Sequence, residues 1–145
     1  MIVTCRNSLS KKDKQKVHFL LMNITDEYRD YYLTKNNLRL FIKENVDVLF
    51  QDLAKGDKIV LGERGMINVV GFADKSERKY IKILTSDLDE VQKLMFAVRA
   101  EIHEDLYCKL KKDNPIKDLV MKFGFEFFGD RGQEVLLKRG KKNND

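Results

Sequence analysis

The sequence predicts a mixed α/β (α+β) protein built around one central sheet. Three observations predict it. Apolar residues recur at helical spacing in some stretches and alternate at a period of two in others, so both element types are encoded. Residues that start and stop helices stand at the joints: Ser10, Thr34 and the pair Asn114-Pro115 at starts, Gly56 and Gly124 at stops. The chain has 145 residues, 43% of them apolar and one of them proline. That suits a single globular domain rather than a disordered chain. Residues 1–139 are expected to form that domain, with 140–145 as a loose basic tail.

The elements follow in order. Met1 to Arg6 is apolar and β-branched and predicts a short strand. Ser10 followed by Asp13 resembles a capping box. Behind it Val17, Leu20, Leu21, Ile24, Tyr28 and Tyr31 recur at helical spacing, and Thr25-Asp26 can divide that stretch into two helices. Thr34 can cap a further helix carrying Leu38, Phe41, Ile42, Val46, Leu49 and Leu53, which Gly56 ends. The period then changes. Lys58 to Leu61 and Met66 to Phe72 read as a hairpin turning at Gly62-Glu63-Arg64-Gly65. Tyr80 to Thr85 is a β run with Ile81, Ile83 and Thr85 on one side and Tyr80, Lys82 and Leu84 on the other.

A strong helix follows, with Leu88, Val91, Leu94, Met95, Val98 and Ile102 on one face and Ser86 or Asp87 as its cap. Leu106 to Leu110 is a short strand. Asn114 caps a helix that has Pro115 at its first position. Ile116, Leu119, Val120 and Phe123 form its buried face, and Gly124 stops it. Glu134 to Lys138 is the last strand. The helices at 86–104 and 114–124 act as crossovers, so the second half of the sheet requires parallel or long-range pairing.

Composition excludes several function classes. The two cysteines and two histidines never stand at metal-ligand spacing, so no metal site is expected. No apolar run reaches the length of a membrane span, and the first residues lack the order of a secretory signal. A soluble cytoplasmic protein is the expectation. Phosphate-loop, dinucleotide and nucleophile-elbow patterns are absent. The net charge of +5 gathers at Lys11, Lys12, Lys14 and Lys16 and again at Lys138, Arg139, Lys141 and Lys142. These read as a solvated helix face and a frayed tail, and nucleic acid is not expected as a partner. Phe123, Phe125, Phe127 and Phe128 could form a base-stacking platform but read as core at a helix-to-strand turn.

The stretch from Asn114 to Asp130 carries a resemblance. Lys122, Phe123, Gly124 and Phe125 stand where the GNAT N-acetyltransferase superfamily has a Lys-x-Gly-Phe type segment. The element order resembles that family over nearly the whole chain, as a divergent or degenerate member. The resemblance implies acetyl-CoA as cofactor, lying between the two central parallel strands, and a small-molecule or protein amine as acceptor. It implies that the backbone of Ile83, Leu84 and Thr85 meets the pantetheine arm, and that the loop at Ser86 meets the pyrophosphate. Asn114 could contact the cofactor as well as cap its helix.

Departures accompany the resemblance. The family's glycine-bearing phosphate loop is replaced by Ser86-Asp87-Leu88-Asp89-Glu90. Those carboxylates favour the helix start itself and repel a pyrophosphate there. The place of the family's proton-donating tyrosine falls on Val120 or Met121. Glu63 lies in a turn, and Tyr107 and Cys108 are the titratable side chains left as catalytic candidates. Two readings stand. One is an N-acyltransferase moving an acetyl group from acetyl-CoA to an amine. The other is a non-catalytic GNAT-like interaction or structural protein that does not bind acetyl-CoA. The Lys- and Asn-rich composition suits an AT-rich bacterial or phage genome.

Overall fold

A computed structural model describes residues 2–5, 8–22, 58–71, 78–85 and 87–140. The expected helices between Thr25 and Leu53, the stop at Gly56, the turn around 74–77, Ser86 and the tail from Lys141 lie outside the described residues.

β-Branched and apolar runs form a seven-stranded sheet in the order β1-β2-β3-β4-β5-β7-β6. Its strands are β1 (Ile2–Cys5), β2 (Lys58–Leu61), β3 (Met66–Gly71), β4 (Lys79–Leu84), β5 (Leu106–Lys111), β6 (Glu126–Arg131) and β7 (Glu134–Arg139). From β1 to β4 every neighbour is antiparallel, with Val60 opposite Ile67 and Ile67 opposite Ile83. β4 and β5 are parallel, and β7 lies antiparallel between β5 and β6. The parallel pair needs a crossover, and α2 (Leu88–Glu101) supplies it. The other described helices are α1 (Lys11–Met22) and α3 (Ile116–Met121).

The helix starts follow the sequence signals. At α1 the Ser10 hydroxyl accepts the Asp13 N–H at 3.1 Å, which is half of the expected box. At α2 the Asp87 carboxylate accepts the N–H groups of Asp89 and Glu90, so Asp87 is the cap. At α3 the Asn114 side chain accepts the Ile116 N–H at 2.9 Å. The helix is capped at Lys122, and the turns that follow it close at Gly124, whose φ of +90° is open to glycine at little cost.

One face of the sheet and the buried faces of α2 and α3 form the core. Ile67, Ile81, Ile83, Leu106, Cys108, Leu110 and Leu137 meet Val91, Leu94, Val98, Ile116 and Val120 there. The alternate sheet residues Ile59, Leu61, Met66, Leu84 and Leu136 are also buried. The centre of the sheet is therefore covered on both faces, as parallel pairing usually requires.

Three sequence expectations change. The final strand is a hairpin of two, β6 and β7, turning at Gly132 with φ +78°. Phe123 and Phe125 are core, but Phe127 and Phe128 stand on β6 with 60% and 46% of their surface exposed. β6 is the outer strand of the sheet, so residues on it have fewer neighbours to cover them. Arg139 belongs to β7 rather than to a frayed tail. It is buried, and its guanidinium donates to the carbonyls of Ile102 and Glu104 behind α2. Burial pushes its pKa down, and the nearby carboxylates of Asp105 and Glu104 oppose that.

Candidate functional site

The site begins where β4 meets β5. The two parallel strands share one register pair, Tyr80 with Tyr107. Both then run on, to Leu84 and to Lys111, and among the described residues no further register pair joins them. Backbone N–H and C=O groups in a sheet interior need partners. A ladder that stops early leaves facing edges with polar groups to offer. Ile83, Leu84 and Thr85 line the β4 side of this gap, all three buried.

The far end of β5 leads to Asn114, which is 3% exposed. Its Oδ1 is used by Ile116, while its Nδ2 is buried with no hydrogen-bond partner among the described residues. A buried donor left unmade costs about 1–3 kcal/mol, so such a group marks a place where an acceptor would be welcome. Asn114 is thus both the helix start and an unspent donor beyond the open end of the β4–β5 pair.

The start of α2 is arranged differently. Thr85 donates from Oγ1 to the Arg64 carbonyl at 3.1 Å and accepts the Asp87 N–H at 3.2 Å. The Asp87 carboxylate takes the Asp89 N–H at 2.9 Å and the Glu90 N–H at 3.3 Å. The β2–β3 turn folds over this point. Arg64 reaches Asp87 at 2.8 Å and Glu90 at 3.5 Å. A Cβ on Gly62 would overlap the Glu90 carboxylate, and one on Gly65 would overlap Thr85. These two glycines allow the turn to close on the helix start.

Helix N-termini hold phosphates by offering free N–H groups and a positive dipole end. Here the protein's own carboxylate accepts two of those N–H groups. The Arg64 guanidinium meets two carboxylates, those of Asp87 and Glu90, and Asp89 adds a third acid to the first turn. A pyrophosphate would have to displace Asp87 and sit against Asp89 and Glu90. The donor set at this helix start does not fit a pyrophosphate, whereas the strand gap and Asn114 fit an amide-bearing arm. The sequence places Glu90 among the carboxylates of the helix start but gives no expectation of its burial, and it is only 2% exposed. The signal was its spacing, since Glu90 stands one turn before Leu94 on the shoulder of the apolar face.

The catalytic candidates separate to opposite faces of β5. Cys108 lies in the core against α2 and α3, and burial pushes its thiol up to about 12. It remains a packed thiol at neutral pH rather than a nucleophile. Tyr107 faces the other way, at 8% exposure. Its ring packs against Tyr80 and Phe128, each 5.6 Å between centroids. The Arg78 guanidinium lies 4.8 Å and the Lys138 ammonium 5.6 Å from the ring centre. Val120 is fully buried and Met121 is 39% exposed; neither side chain can give a proton. Glu63 sits exposed in the β2–β3 turn. Among the described residues no three His, Cys, Asp or Glu side chains converge as a metal site. Also among them, no helix is long and apolar enough to cross a membrane.

No protein-family model and no curated protein sequence matches the chain. Solved structures do. PH1933 from Pyrococcus horikoshii OT3 is similar with a TM-score of 0.60 at 17% identity, over 98% of each chain. An N-acetyltransferase from Staphylococcus aureus Mu50 gives 0.59 at 14% identity, over 96% of each chain. A GNAT-family acetyltransferase from Listeria monocytogenes 4b F2365 gives 0.54 at 12% identity, over 95% of this chain and 93% of that one. The antiparallel first half, the parallel β4–β5 pair, the crossover α2 and the final hairpin together are the GNAT fold, and this chain has it.

Proposed function

We propose that the protein is an N-acyltransferase that transfers an acyl group, acetyl in the simplest case, from a coenzyme A thioester to an amine. The observation that carries the reading is the single register pair between β4 and β5, which leaves an unladdered gap in the middle of the sheet. An extended arm bearing amides can pair with backbone edges there as an added strand would. The backbone of Ile83, Leu84 and Thr85 would hold that arm, and Asn114 Nδ2 would donate to it. The donor supplies the activated thioester carbonyl. Tyr107, beside the point where the ladder stops, would be the side chain to hold or pass a proton; Arg78 and Lys138 lie against its ring.

The hold on the diphosphate is correspondingly weak, because Asp87 occupies the helix start. Acetyl-pantetheine, which lacks the diphosphate, should therefore bind no more weakly than acetyl-CoA. Thermal stability and calorimetry with both ligands test this. A ligand at a hundred times its dissociation constant adds about 2.7 kcal/mol to folding stability. Stabilisation by both, with thiol release in the presence of amines, is the expected result. Absence of stabilisation by either at millimolar concentration would sink the reading.

That outcome would favour the second reading, a GNAT-fold protein without acyl transfer that serves as an interaction or structural protein. The specific observation on its side is the Asp87 carboxylate seated on the helix N–H groups and clamped by Arg64.

A further inference from the structure

Rings and cations line the vertex of the β4–β5 gap, on the face of the sheet turned away from α2 and α3. Tyr80 and Tyr107 pair there in register, and Lys138 stands opposite Tyr107 on β7. The Lys138 ammonium lies 5.6 Å from the Tyr107 ring centre and 5.2 Å from that of Phe128. The Arg78 guanidinium lies 4.8 Å and 5.5 Å from the same two rings. Glu126 is the neighbour of Lys138 across the β6–β7 ladder. Yet among the described residues no carboxylate forms an ion pair with Lys138. Its ammonium is turned to the rings instead.

The rest of this face has the same sign. Side chains alternate along a strand, so Lys82 and Lys109 follow Tyr80 and Tyr107 on it. Neither β4 nor β5 contains an acid. Two like charges drawn to one pair of rings repel each other, and an anion set between them turns that repulsion into two attractions. A guanidinium also matches a carboxylate in shape, through two parallel N–H donors. Phe128 is exposed and Lys138 half-buried, so the cluster opens to solvent beside the outer strand.

We propose that the acceptor is a primary amine that also bears a carboxylate, and that Lys138 and Arg78 bind this carboxylate over the Tyr107 and Phe128 rings. The proposal rests on the acyl-transfer reading and names the acceptor class within it. An arm paired between β4 and β5 would bring its acyl carbon to the vertex. The core face there is closed by α2 and α3, which leaves the Tyr107 face for the amine. The amine nitrogen bonds to the thioester carbon and the carbon–sulfur bond breaks. The nitrogen loses a proton and the sulfur takes one up, so the products are an amide and a thiol. The positive field of the face also disfavours the ammonium form of the acceptor, which raises the fraction of neutral, nucleophilic amine. The same field disfavours a diamine, whose second charge would meet Lys138.

Initial rates of thiol release from acetyl-pantetheine test the proposal with amines matched in length: γ-aminobutyrate, butylamine and putrescine. The wild-type chain should prefer γ-aminobutyrate to butylamine by about tenfold or more in kcat/KM, with putrescine last. Lys138→Gln should lower that preference severalfold, and Lys138→Glu should invert the order of γ-aminobutyrate and putrescine. Calorimetry with acetyl-pantetheine, which carries no charge, should give one affinity for the wild type and both variants. That equality also shows that the variants are folded. A chain that binds the donor but acetylates the amines without regard to charge, or leaves γ-aminobutyrate untouched, overturns the proposal and leaves acyl transfer standing. So does a wild-type order that survives Lys138→Glu. A chain that binds no donor removes the acyl-transfer reading, and the proposal with it.

Discussion

Replacing Asp87 with serine separates two duties of that side chain. Serine is as good a helix cap as aspartate, so the Asp89 and Glu90 N–H groups keep an acceptor. What is lost is one negative charge and the ion pair to Arg64, a side chain 56% exposed. An exposed pair contributes ~0–1 kcal/mol, so Asp87→Ser should cost no more than about 1 kcal/mol of stability. Asp87→Ala loses the cap as well and should cost about 1–2 kcal/mol, with a melting temperature lower by roughly 3–8 °C. Toward a diphosphate the signs reverse. A charge about 5 Å away, at an effective dielectric near 20, gives ~3 kcal/mol before salt screening and roughly 1–2 kcal/mol after it. Asp87→Ser should therefore bind acetyl-CoA about five- to thirtyfold more tightly than the wild type. Isothermal calorimetry at low salt measures this, with acetyl-pantetheine as the uncharged control. The control ligand should be indifferent to the substitution. Equal acetyl-CoA affinity in wild type and Asp87→Ser would refute the idea that this carboxylate obstructs the phosphate seat.

Two further outcomes follow from burial. Phe125→Ala empties a fully buried site and should cost about 3–5 kcal/mol, while Phe127→Ala on the exposed edge should cost less than about 1 kcal/mol; urea unfolding of both variants checks the contrast. For Cys108 the folded thiol is raised from 9.0 to about 12. Its contribution is present in full below the unfolded pKa and is lost as pH rises from about 9 toward 12, because the unfolded chain releases a proton that the folded chain keeps. That single proton is worth at most about 1.4 kcal/mol per pH unit in the window. Cys108→Val should therefore lose stability less steeply than the wild type above pH 9, and identical slopes would remove Cys108 from the alkaline unfolding.

The strands and helices that carry the site were legible because each shows its period plainly. Ile81, Ile83 and Thr85 alternate as expected, and Val91, Leu94, Met95 and Val98 share a helical face. What escaped the sequence depends on neighbours. β6 contains two adjacent phenylalanines and a glycine at a register shift, so its alternation is broken where it would have been read. The same four aromatics look like one core cluster in sequence, yet the sheet order places Phe127 and Phe128 on the outer strand. Arg139 sits in a basic run, but the register that sets it opposite Leu106 carries it behind α2.

The acidic helix start was visible in sequence, and the structure gives it a cause. Asp87 is a cap; Glu90 is buried because Gly62 lets the β2–β3 turn reach it; Arg64 lies across both. Each of these residues is accounted for by packing the turn onto the helix. The gap between β4 and β5 is not accounted for in that way, nor is the unspent Nδ2 of Asn114. A chain whose only task were to fold would gain by closing the ladder and pairing the amide. Under the proposed acyl transfer, the open strand edges and the closed helix start would serve different ligand parts: the edges would take an amide-bearing arm, and the helix start would not take a diphosphate. Acyl donors should then be ranked by what they offer the strands, and their phosphate content should count little in that ranking or against it.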